Sequence, residues 1–206
     1  MTSIETLTLD AEDPAAAERF YDTAFGLGDR VRVRAAEAPS DGFRGYTLSL
    51  VVSQPSTVRS LVEAAVAAGA TTVKPVKKSL WGYGAVVQAP DGALWKIATS
   101  AKKDTGPDTG QIDQVVLLLG AEDVAASKQF YVEHGLAVGK SFGRKYVEFA
   151  MPDSPVKLAL YGRPALAKDA GVPPEGTGSH RLAISAPGAG PFTDPDGFAW
   201  QSDPEA

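Results

Sequence analysis

The chain repeats itself, and this limits its possible folds more than any other feature. Residues 4–27 read IETLTLDAEDPAAAERFYDTAFGL and residues 114–136 read QVVLLLGAEDVAASKQFYVEHGL. Asp13 stands seven residues before Phe20, as Asp123 does before Phe130, and a tyrosine follows each phenylalanine. A second echo closes each half: APDGALWKIA at 89–98 and TDPDGFAWQS at 193–202. Two copies of one beginning and one end imply two homologous units of about a hundred residues each. They span 1–99 and 112–206, and the polar, turn-rich stretch 100–111 reads as the linker between them.

Each unit opens on a strand and a helix. Residues 4–9 alternate, with Ile4, Thr6 and Thr8 on one face and Glu5, Leu7 and Leu9 on the other. Asp13 can cap the next helix, and Pro14 suits its first position, where a missing N–H costs nothing. Ala17, Phe20, Tyr21 and Ala24 then form an apolar stripe that must dock on a sheet, and Gly26 and Gly28 stop the helix. Strands follow near 30–35 and 45–52. A helix from Pro55 to Ala68 has Val58, Leu61, Val62, Ala65 and Val66 inward, and strands near 72–76, 83–88 and 94–98 finish the half. The second half predicts a strand over 112–119, a helix over 123–134 and strands near 138–142, 145–150 and 156–161. A short helix in PALAKDAG at 164–171 and strands at 179–185 and 198–202 complete it. Only PGAGPFTDPDG separates those last two strands, so the second copy is truncated.

Composition removes several function classes. Of the residues, 44% are hydrophobic and 22% charged, enough apolar material for a core and too much for disorder. A net charge of −5 without a Lys/Arg stripe argues against nucleic acid. With no cysteine there is no disulfide or thiolate site, and with His134 and His180 alone a His-rich metal site is impossible within one chain. No apolar run approaches a membrane span and the start shows no signal-peptide pattern, so the expectation is a soluble, cytoplasmic protein.

Strand, helix ending in Phe-Tyr and Gly-Leu, further strands, and a closing Pro-Asp-Gly turn before an aromatic strand together resemble the vicinal oxygen chelate superfamily. Glyoxalase I, bleomycin-resistance proteins, fosfomycin-resistance enzymes and extradiol dioxygenases belong to it. The resemblance covers 4–99 and 112–202. It implies an α+β fold: tandem glyoxalase/bleomycin-resistance-like domains of βαβββ units, with curled mixed sheets and helices on the outer face. It also implies a cup for a small ligand, with a divalent metal at its base in the enzymes, and ligands from the first and last strands of its units.

At those positions this sequence departs. The family's spacing puts Thr6, Thr47 and Lys96 there in the first half and Val116, Arg181 and Gln201 in the second. An ammonium has no lone pair to give a metal. A shifted register offers Gln114, His180 and Gln201, one imidazole and two neutral amides, a weak divalent site. Strand parity in HRLAIS puts His180 on the side of Leu182 and Ile184 and turns Arg181 toward the cup. The expectation is therefore a metal-free cup with no cofactor. It binds a small, anionic organic molecule through Lys96, Arg181, Gln201, Thr6, Thr47, Gln114, Tyr83 and Trp81. The alternative is a metal-dependent lyase, isomerase or dioxygenase at Gln114, His180 and Gln201. A third class is a structural or regulatory module without small-molecule chemistry, which a cup filled by its own side chains would favour. Buried cations need partners: Lys96 and Arg181 each await a ligand or a carboxylate such as Glu148, or else snorkel to the rim. Trp95, Trp200 and His134 read as structural, and Arg30, Arg32 and Arg34 as a solvated edge. A sheet edge left by the truncation must be covered by the first half or by a second subunit, so a homodimer is possible on this reading.

Overall fold

The computed structural model describes residues 2–80 and 82–202. The first half runs β1 (Thr6–Ala11), α1 (Pro14–Ala24), β2 (Val31–Ala35), β3 (Tyr46–Val51), α2 (Pro55–Ala67), β4 (Thr71–Ser79), β5 (Gly82–Gln88) and β6 (Leu94–Thr99). The second runs β7 (Gln114–Ala121), α3 (Val124–Glu133), β8 (Val138–Ser141), β9 (Tyr146–Phe149), β10 (Val156–Gly162), α4 (Arg163–Ala170), β11 (Leu182–Ser185), β12 (Phe192–Thr193) and β13 (Ala199–Gln201). The fold is α+β, as expected. The local chemistry is as read: Asp13 accepts from the Ala16 amide, Pro14 opens α1, and Ala17, Phe20, Tyr21 and Ala24 are buried. Val66 is the exception on α2, 46% exposed. The strand expected over 179–185 begins only at Leu182, because residues Ser179–Arg181 form a 3-10 turn.

Neither half keeps its strands to itself. An eight-stranded sheet has the order β4-β5-β6-β3-β7-β10-β9-β8, and a five-stranded sheet the order β12-β13-β11-β1-β2. Complete βαβββ units, β3-α2-β4-β5-β6 and β7-α3-β8-β9-β10, share the larger sheet through antiparallel β3 and β7. The two short units, β1-α1-β2 and β11-β12-β13, share the smaller one through antiparallel β1 and β11. The edge that the truncation would leave bare on β11 is thus covered by β1, within the chain. Both registers follow side-chain alternation. Leu7 and Leu9 stand opposite Ile184 and Leu182, and Leu48 stands opposite Leu117, all in one core with α1, α2 and α3.

The repeated motifs build that core twice. Tyr21 Oη donates to Asp91 Oδ2 at 2.7 Å and accepts from Trp95 Nε1 at 3.4 Å. Tyr131 Oη donates to Asp194 Oδ2 at 2.6 Å and accepts from Trp200 Nε1 at 3.3 Å. Each helix is thereby tied to the closing turn and the last strand of its own half. Trp95 and Trp200 are buried core residues. His134 caps α3, its Nδ1 2.8 Å from the Phe130 carbonyl oxygen and its ring stacked on Phe130.

The linker is not a free tether. The N-cap residue of α2, Gln54, makes no side-chain cap bond to the helix. Asp104 takes that role from the linker, accepting from the Ser56 amide at 2.6 Å and from Arg59 at 2.9 Å. Gln54 Oε1 meanwhile accepts from the Thr105 and Gly106 amides. Asp108 accepts from Thr57 Oγ1 at 2.7 Å. The Ser56 amide, then Arg59, hold the Asp104 carboxyl below its ordinary range, and the Ser60 hydroxyl and Gly110 amide do the same for Asp108. A depressed folded pKa stabilises above the unfolded value and is lost as pH falls through the folded one. The linker should therefore stay docked near neutrality and release below about pH 4. Hydrogen exchange will show this as protection of the Ser56 amide at pH 6 that is lost in acid before global unfolding. Equal protection at both would remove the two carboxylates as the clasp.

Candidate functional site

On the larger sheet, alternation gives a second face, opposite the shared core. One row of strand partners crosses it as Lys96, Ser49, Val116 and Lys157 on β6, β3, β7 and β10. These are the first and last strands of the two complete units. Two ammonium groups, a hydroxyl and an isopropyl group do not fit a divalent cation. Lys157 turns away to donate to the carbonyl oxygens of Met151 and Pro152.

Helix α4 lies on this same face. Its Leu166, Ala167 and Ala170 are buried against Val86, Leu94, Leu118 and Tyr161, each adjacent in sequence to a residue of the main core. Close approach at the helix start needs Gly120 on β7, where a Cβ would stand 2.8 Å from the Gly45 carbonyl oxygen and 3.2 Å from Arg163 Cα. Polar contacts pin both ends. Arg163 donates to the carbonyl oxygens of Phe43, Pro174 and Gly176, and Lys74 Nζ to those of Lys168 and Asp169. The helix forms where the sequence suggested, but it lies on the cup face and not on the outer layer. Most of that face is filled by the chain itself.

One cavity there, of about 650 Å³, lies between β4, β5, β6 and the end of α4. Lys74, Lys77, Lys78 and Lys96 line it against one carboxylate, Asp169, with Pro75, Ala85 and Val86 as its apolar wall. Lys96 Nζ lies 2.7 Å from Asp169 Oδ2, and both side chains are partly exposed. The partner of Lys96 is Asp169, not Glu148. Tyr83 is half-buried on β5, with Lys78 Nζ 6.0 Å from its ring centre. Trp81 lies outside the described residues.

The other sequence-selected residues are dispersed. Thr47 is buried on the larger sheet, one row from Lys96, and Gln114 is exposed at the start of β7. Thr6, Arg181 and Gln201 belong to the smaller sheet or its approach. Thr6 Oγ1 donates to the Asp29 carbonyl oxygen, and Gln201 pairs with Ser185, itself opposite Thr6. Thr6, Thr47 and Lys96 therefore do not converge, because β1 sits in a different sheet from β3 and β6. Likewise Gln114 and Gln201 lie on different sheets, and His180 is exposed on the 3-10 turn before β11. No group of three or more His, Asp or Glu that could hold a metal occurs among the described residues.

Of the ambiguous tyrosines, Tyr161 packs against α4 and Tyr146 donates to Glu148, with burial followed by that carboxylate pushing the phenol up to about 12. Tyr46 is buried edge-on to Phe198, and burial pushes its phenol up to about 12 against the opposing effect of Arg44. Arg34 pairs with Asp10 at 2.7 Å on the edge strand β2, so it is more than a solvated charge.

Several solved structures match nearly the whole chain. Glyoxalase I from Zea mays superposes with a TM-score of 0.64 at 15% identity, covering 97% of this chain and 91% of that one. The chain has the glyoxalase I fold. A protein of Bacillus subtilis subsp. subtilis str. 168, described provisionally as a dioxygenase, superposes with a TM-score of 0.58 at 12% identity, covering 96% of this chain and 83% of its own. No family model matches the sequence, and no curated protein does. In this fold the second face of the larger sheet carries Lys96 and Lys157, and α4 packs against it. Sequence reasoning selected Lys96 and missed Lys74 and Asp169, because their meeting depends on where α4 docks.

Proposed function

We propose that the chain is a vicinal oxygen chelate protein that binds a small anionic organic molecule without the metal its relatives use. The ligand enters the lysine-lined cavity beside α4, and Lys96 is its principal cation. One observation carries this reading: four lysines face one aspartate in a cavity of about 650 Å³ that also has an apolar wall. Such a lining suits an acid with an apolar body, so benzoate is an apt first probe. Asp169 occupies Lys96 until the ligand arrives, so binding exchanges one ion pair for another. A charge-assisted hydrogen bond contributes about 1.5–3 kcal/mol, so Lys96→Met should weaken benzoate binding about tenfold or more. Calorimetric titration of the purified chain tests this, and an unchanged affinity would remove Lys96 from the site. The metal-dependent alternative makes the opposite prediction. Stoichiometric, submicromolar Ni²⁺ or Mn²⁺ binding abolished by His180→Ala would replace this proposal with a metalloenzyme.

A further inference from the structure

Arg181 is the most unusual cation in the chain. It is 2% exposed, yet its Nε and Nη1 have no hydrogen-bond partner, and its Nη2 lies 3.5 Å from Glu12 Oε1. That carboxylate belongs to a side chain 86% exposed. A long contact to a solvated group offsets little of the cost of burying a guanidinium. Arg44, which is half-buried, stands nearby and is also incompletely paired. Its Nη2 donates to the Asp91 carbonyl oxygen while its Nη1 is buried without a partner. Its side chain passes between two glycines: a Cβ at Gly178 would stand 2.7 Å from Arg44 Cγ, and one at Gly92 2.7 Å from Arg44 Nη2.

Both arginines line one cavity of about 320 Å³ at the N-terminal end of α1, together with Glu12, Asp13, Ser40 and Asp91. Of its carboxylates, Asp13 is committed to the Ala16 amide, and Asp91 to Tyr21 Oη and the Ala93 amide. Glu12 alone of the three is held only by its contact with Arg181.

We infer that Arg181 and Arg44 form a second binding site, distinct from the lysine-lined cavity, for the carboxylate group of a small organic acid. Glu12 holds the place that the ligand takes. Displaced, Glu12 swings into solvent, and the incoming carboxylate accepts from both guanidinium groups, which reorient toward it. The charge balance selects the ligand class. With Glu12 displaced, two guanidinium groups face two carboxylates, so a monoanion returns the cavity to the single excess negative charge that Glu12 gives it, whereas a dianionic phosphate doubles that excess.

Acetate is the probe, titrated into the ¹⁵N-labelled full chain against sodium chloride at equal ionic strength. The readout is the Arg44 and Arg181 Nε–H resonances with the Ala15–Ala17 amides. Saturable shifts beyond the chloride control are expected in the native chain and equally in Lys96→Met, which separates this site from the first. Arg44→Gln should weaken binding at least tenfold, and Glu12→Gln should tighten it several-fold by removing the competitor. Both residues are at least partly exposed, so the test does not depend on whether an Arg181 variant folds. Shifts no larger than those of chloride, or unmoved by Arg44→Gln, would overturn the site. Weaker binding in Glu12→Gln would overturn the placeholder role, and tighter binding of inorganic phosphate than of acetate would overturn the ligand class.

Discussion

Trp200→Ala should lower the free energy of unfolding by about 3–5 kcal/mol, the range for truncating a large buried aromatic. Trp200 is 2% exposed, stacks on Phe192 with ring centres 5.1 Å apart, and lies 5.5 Å from the Tyr131 ring. Its loss leaves a cavity in the short unit, which has no helix of its own to collapse into it. It also strips Tyr131 Oη of the hydrogen bond it accepts from Trp200 Nε1 while it goes on donating to Asp194, whose carboxyl burial already raises above the ordinary range. Against a typical domain stability of about 5–15 kcal/mol, that loss is a large fraction of the whole. Urea denaturation of the native and variant chains measures it from the shift in midpoint at constant slope. A cost under about 1 kcal/mol would mean that the indole is not the packing element of the C-terminal strand.

Leu166→Ala should cost about 2–5 kcal/mol, and its effect bears on function. Leu166 is fully buried between α4 and the face of the larger sheet that holds Lys96 and Thr47. Truncation leaves a void there while the tethers at both helix ends, Arg163 and Lys74, remain. The variant should therefore stay folded at moderate temperature and expose the apolar face more often, seen as increased binding of an environment-sensitive dye. A native-like midpoint with unchanged dye binding would show that α4 rests on the surface and leaves the cup free.

These expectations separate two kinds of information. The helices and most strands were legible because hydrophobic period, caps and turns are local. Asp13 and Pro14 mark the start of α1 whatever the rest of the chain does, and the duplicated Phe-Tyr and Asp-Gly signals mark corresponding positions in both halves. The structural roles of Trp95, Trp200 and His134 followed from strand parity and helix position. Lys96 was legible as a buried-side cation, but its partner was not, since Asp169 lies 73 residues away on a helix whose docking face is set by only a few small apolar side chains.

By itself, the sequence determined an α+β chain of two related halves and its element boundaries to within a few residues. Only the tertiary structure decided that complete units pair with each other and short units with each other, that α4 fills the cup, and that the linker caps α2. It also set Lys96 and Arg181 in different cavities. The physical reason is one of range. Periodicity tells a strand which of its faces is apolar, but a sheet edge can pair with any strand of matching register. The choice among partners rests on how much surface each arrangement buries across the whole chain.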